Sequence, residues 1–243
     1  MIGRMSGLLG AMSICALAVQ PAAAATIDFI GVGNGLDAIA DFTTSAGQIS
    51  ITITNGLAAS SIVSAGQTVS DVSFTLSNAP GTLTGTSATG QLANISSSGA
   101  VTNVAGSPTR WLGQGPPPPG GTGFFNITGN TITLEAIGGG QPSQLLLPSG
   151  TSFPSANASI TGGQFNPFVV GPETFILNLS GVTAATTITA ATFSFGTGPD
   201  TFIPGVPTTQ FSVPGPVAGA GLPGMIAAFG GLLAFLRRRQ KAA

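Results

Sequence analysis

The stretch Gln48-Ile-Ser-Ile-Thr-Ile-Thr54 carries an apolar side chain at every second position and an amide or hydroxyl between. Side chains of an extended chain alternate between two faces, so this pattern fits a strand with one face buried and the other in water. Val69 to Leu76 shows the same alternation. Thr26–Ile30, Ala38–Thr43, Gly123–Thr128, Thr131–Ile137, Thr174–Ser180 and Thr186–Phe195 are further candidate strands. Turn residues punctuate them at Ser45-Ala46-Gly47, Asn78–Gly81 and Gly129-Asn130. Thr82 to Ser98, rich in Thr, Ser and Gly, reads as one or two exposed strands. Residues 138–168, spotted with Gly and Pro around Leu145-Leu146-Leu147, show no clear pattern. Gly115-Pro-Pro-Pro-Pro-Gly-Gly121 reads as a polyproline-type loop, because four prolines cannot donate to a ladder.

Between the two ends of the chain no stretch places apolar residues at i, i+3, i+4 and i+7. Many short strands without helices predict an all-β fold, an antiparallel β-sandwich or jelly-roll-like domain. A β-solenoid would need a fixed repeat, and none is visible.

Charged residues make up 5% of the chain against a typical ~25%. Val, Ile, Thr and Phe are nonetheless spread throughout, which supplies the apolar surface that disordered chains lack. Arg4, Arg237, Arg238, Arg239 and Lys241 lie in the ends, leaving Arg110 alone in the middle. Opposite it stand Asp28, Asp37, Asp41, Asp71, Glu135, Glu173 and Asp200, so the middle carries about −6. Nucleic-acid binding needs a basic footprint for the phosphates, and this distribution excludes it. The only cysteine, Cys15, sits in the N-terminal apolar run, so the rest of the chain can form no disulfide.

Residues 1–25 read as a secretory signal peptide: Arg4 at the start, an apolar core from Leu8 to Val19, and Ala22–Ala25 as the small-residue cleavage site. Residues 26–203 are expected to form the β domain outside the inner membrane. Residues 204–216 read as a linker spaced by Pro204, Pro207, Pro214 and Pro216, ending in the short motif Val213-Pro214-Gly215-Pro216. Residues 217–243 follow: an uncharged apolar run to Leu236, then Arg237-Arg238-Arg239-Gln240-Lys241. About twenty residues at ~1.5 Å each match the ~30 Å hydrocarbon core, which predicts one transmembrane helix. The basic stop places the end of the chain in the cytoplasm.

That order, Val213-Pro-Gly-Pro216, apolar helix, basic stop, resembles the PEP-CTERM sorting signal of Gram-negative bacteria. It matches the variant in which Val-Pro-Gly-Pro stands where the name-giving Pro-Glu-Pro would be. The resemblance implies an exosortase-like processing enzyme as partner, a membrane-embedded cysteine peptidase or transpeptidase cutting at or near the motif. It also implies anchoring in the inner membrane before processing, then delivery to the cell surface or the extracellular matrix of bacteria that make exopolysaccharide and biofilm.

For chemistry the inventory is thin. There is no His to act as a general base or metal ligand, and no Cys outside the N-terminal run to act as a nucleophile. Gly31-Val-Gly-Asn-Gly35 lacks the third glycine of a dinucleotide loop and reads as a turn. Asp37 and Asp41 are too few for a calcium loop, and Asp200 stands apart. Glu135 and Glu173 are the only glutamates, and would need to flank one cleft to hydrolyse a glycoside. Trp111 fits either a core position or an exposed ring that stacks on a sugar of the exopolysaccharide. Asn94, Asn126, Asn157 and Asn178 begin N-x-[ST] sequons at a density close to chance. These readings predict a non-enzymatic exported surface protein with no cofactor or metal, with a carbohydrate-binding module or a plain single-span membrane protein as alternatives.

Overall fold

The computed structural model describes residues 24–113, 125–138, 141–198 and 201–208. Its chain opens with β1 (Ala25–Gly33), β2 (Leu36–Ser45) and β3 (Gln48–Asn55), a meander of two hairpins. The first turn is Asn34-Gly35, with φ of 54° and 75°. Asn and Gly tolerate this left-handed pair, which suits the twist of a two-residue hairpin. Next come β4 (Val69–Leu76), β5 (Leu83–Thr89), β6 (Leu92–Ile95), β7 (Val101–Asn103), β8 (Phe125–Thr128), β9 (Thr131–Glu135) and β10 (Leu146–Leu147). The chain continues through a one-turn helix α1 (Ala158–Thr161) to β11 (Phe168–Val170), β12 (Glu173–Leu179), β13 (Ile188–Phe195), β14 (Thr201–Pro204) and β15 (Val206–Thr208).

Among the described residues the strands form two sheets. One runs β15-β1-β2-β3-β12-β5; the other runs β14-β13-β4-β10-β11-β6-β7, with the β8–β9 hairpin also attached to β4. All pairs are antiparallel except β10 with β11. The all-β expectation holds, in a sandwich-like arrangement with little helix. The buried residues of both sheets form one apolar core. Phe29 meets Phe42 edge-on at 5.9 Å, and Phe42 meets Phe74 of the other sheet at 5.0 Å. Gly31 permits this closeness: a Cβ there would lie 2.5 Å from the ring of Phe193 on β13.

Three stretches differ from expectation. β6 is mostly buried rather than exposed, because β7 and β11 flank it within the sheet. Residues 138–168 contain β10 and α1 and run into β11; the strands are short and buried at every position, so no alternation marks them. Pairing also continues past residue 203, where a linker was expected. β14 extends one sheet, Gly205 donates to Ala191 O at 2.8 Å, and β15 joins the other sheet beside β1. Both proline-bearing strands are sheet edges, where a missing N–H costs least.

Candidate functional site

The hairpin of β6 and β7 ends one sheet, and the loop after β10 is strapped across it. Ala100 bridges Ser152, the Val101 N–H donates to Thr151 O at 3.1 Å, and the Phe153 N–H donates to Gly99 O at 2.9 Å. Gly99 has a φ of 80°, and a Cβ would lie 2.5 Å from Phe153 O, so glycine is required for this close crossing. Gly150 is pressed against Ala59, where an added Cβ would come within 2.7 Å of the alanine methyl.

Between β7 and that loop lies an open cleft of about 520 Å³. This falls within the ~300–1,000 Å³ typical of small-molecule sites. Val101, Thr102 and Asn103 contribute from β7; Ser149, Gly150 and Thr151 from the loop; Val170 from β11 and Gln91 from just before β6. Gln91 Nε2 donates to Leu92 O at 2.7 Å, and the Val170 N–H donates to Gln91 O at 2.9 Å. The side chains of Thr102, Asn103, Ser149 and Thr151 make no hydrogen bond to another described residue, and all four are exposed. The cleft is therefore lined by unengaged amide and hydroxyl groups beside two valines. Among the described residues no charged group and no aromatic ring lines it.

The residues singled out from sequence lie elsewhere. Trp111 is completely buried: its ring packs at 5.7 Å from Phe175, and its Nε1 donates to Gln144 O at 2.8 Å. A ring held in this way offers no face to a sugar, which corrects its reading as a ligand contact. Arg110 beside it is a brace. Its Nε donates to Ala136 O at 2.7 Å, and Nη2 donates to the carbonyls of Gln141 at 3.0 Å and Gly138 at 3.3 Å. Burial lowers its pKa. Asn157 caps α1 by accepting from the Ser159 N–H at 2.9 Å, and Asn178 accepts from Gln48 Nε2 at 3.1 Å.

Glu135 and Glu173 are not partners. Glu135 sits half-buried on the outer face of one sheet, with Leu134 and Ile132 on the opposite, buried face. Glu173 belongs to the other sheet, paired with Ile53 and fully buried, with no hydrogen-bond partner for either oxygen. Desolvation, unrelieved by any partner, raises its pKa well above the usual 4.5. Glu135 instead faces Asp71 across the ladder. Asp71 is pushed up to about 6, chiefly by burial; the Ser194 hydroxyl opposes the rise and the charge of Glu135 adds to it. Asp28 and Asp41 form a second cross-strand pair, on the outer face of the six-stranded sheet. Burial, then the charge of Asp28 and a hydrogen bond with it, raise the pKa of Asp41.

Among the described residues no carboxylate lines the cleft, and no group of three or more His, Cys, Asp or Glu is able to hold a metal. The cleft escaped the sequence reading because its lining comes from four separate segments of ordinary neutral residues. The sorting motif Val213–Pro216, the basic stop Arg237, Arg238, Arg239 and Lys241, the signal peptide through residue 23 and Asp200 all lie outside the described residues. Among the described residues no helix is long and apolar enough to cross a membrane. Comparison with protein-family profiles, with curated proteins and with solved structures finds no match to this chain.

Proposed function

We propose that this chain is an exported, non-enzymatic surface or matrix protein. In this reading its β domain is carried out by the N-terminal signal peptide and held in the inner membrane by residues 217–236. An exosortase-like enzyme then frees it at or near Val213-Pro214-Gly215-Pro216. The observation that carries the proposal is the order of the last thirty residues: motif, about twenty uncharged residues, then Arg237-Arg238-Arg239-Gln240-Lys241. The composition fits the destination. A domain with no thiol depends on no redox compartment, and its outer faces are coated with hydroxyls that hydrogen-bond across strands. Thr52 lies 2.9 Å from Thr174, Thr75 lies 2.9 Å from Thr131, and Thr133 donates to Ser73 at 3.1 Å. Such faces are wetted mainly by hydroxyls, with only a few carboxylates among them.

The test is to express the full chain in hosts with and without an exosortase and to weigh the mature product. A shorter, released form is expected only where the enzyme is present, with its new C-terminus near Val213. A full-length, membrane-bound product in both hosts would refute the sorting route.

A further inference from the structure

We infer that the cleft between β7 and the 149–151 loop binds a neutral saccharide segment. This rests on the matrix part of the proposed function and is independent of how the tail is processed.

The lining selects the ligand class by what it offers and what it withholds. Thr102, Asn103, Ser149 and Thr151 present an amide and three hydroxyls that no neighbouring group engages. An amide both donates and accepts, as do hydroxyls, and a sugar hydroxyl needs partners of this dual kind. Val101 and Val170 add apolar surface against which ring C–H groups can rest. Among the described residues no charge of either sign lines the cleft, so an anion or cation entering it would lose hydration without gaining a counter-charge from them. The described lining offers no aromatic ring for stacking, so these residues recognise a ligand by hydrogen bonds.

The site is also held in place before any ligand arrives. The bonds from Val101 to Thr151 and from Phe153 to Gly99 fix the loop against the strand. The contact of Gly150 with Ala59 sets the loop's depth. A wall fixed in advance loses little conformational freedom on binding. The strand contributes its backbone as well. Val101 directs its N–H away from β6 toward Thr151, and strand alternation turns the N–H and C=O of Asn103 the same way, along the open edge.

The experiment titrates the full chain, purified in mild detergent, with neutral hexasaccharides of glucose, mannose and galactose. An oligogalacturonate and a Ser/Thr/Gly peptide of similar length serve as comparators. At least one neutral hexasaccharide is expected to bind, with the uronate and the peptide weaker. Asn103→Ala should weaken binding roughly tenfold, the equivalent of one hydrogen bond left unmade. Thr151→Val, tested in parallel, should weaken it in the same direction. Neither side chain bonds to another described residue, so both variants should keep the thermal midpoint of the native chain. Three results would overturn the inference: no neutral hexasaccharide bound at millimolar concentration, binding unaffected by both substitutions, or preference for the uronate or the peptide. A chain that binds saccharide but is never cut would refute the sorting route and leave this site standing.

Discussion

The two faces of β2 share one backbone and differ in almost everything else. Leu36, Ala38, Ala40 and Phe42 point inward and are buried, while Asp37, Ile39, Asp41 and Thr43 point outward and keep partial contact with water. Inward residues are held by shape: Phe42 touches both Phe29 and Phe74. Outward residues are held by weak lateral contacts, including hydroxyl pairs such as Thr52 with Thr174 and two pairings of like charge, Asp28 with Asp41 and Asp71 with Glu135. The difference teaches that stability and surface chemistry are written on alternate residues of the same strands. The outer face can therefore vary, or even oppose folding, without disturbing the core.

The largest effect should come from breaking the inner face. Phe42→Ala removes a completely buried ring at the contact between sheets, and its expected cost is about 3–5 kcal/mol in urea unfolding. A loss under about 1 kcal/mol would mean that the two sheets do not depend on this contact.

The next effect concerns charge. Asp41, Asp71, Glu135 and Glu173 all shift upward. A carboxyl whose folded pKa exceeds its unfolded value binds its proton more tightly when folded. The stability it contributes is fully present below the unfolded pKa and is lost as pH rises through the folded one. For Asp71 the window runs from its ordinary 3.8 to about 6, and the loss is on the order of 3 kcal/mol. The domain should thus be more stable at pH 4 than at pH 8, the reverse of ordinary acid denaturation. Asp71→Asn should recover most of that residue's share at pH 8 and change little at pH 4. Unfolding midpoints that rise with pH, in the native chain, would contradict this account.

The smallest effect belongs to the hydroxyl pairs. Thr52→Val keeps the β-branched shape and removes the bond to Thr174, so the expected cost is within about 0.5 kcal/mol. A much larger loss would show that the outer ladder carries stability after all.

Legibility followed the same division. Where one face is buried and the other wet, alternation marked the strand: β3 and β4 lie almost where Gln48–Thr54 and Val69–Leu76 predict them. Where both faces are covered, as at Leu146-Leu147 and Phe168–Val170, the period-two signal vanishes. Pro204 and Pro207 read as a spacer because proline breaks central strands, yet edge strands accept it. Trp111 could not be assigned to core or surface from its neighbours in sequence; packing against Phe175 decides it. The cleft depends on a loop more than forty residues away from β7 closing over it, a pairing that no local pattern announces.

The seam between β1 and β15 has a mechanical and a kinetic consequence. It pairs Asp28 with Thr208 and Ile30 with Val206, residues about 180 positions apart, so the two ends of the described domain leave it side by side. Bringing such distant segments together carries the heaviest loop-closure cost in the sheet, which makes this seam a late step in folding. Antiparallel hydrogen bonds lie across the strands. A pull between the two ends therefore meets them one at a time and opens the seam like a zip, instead of shearing all of them together.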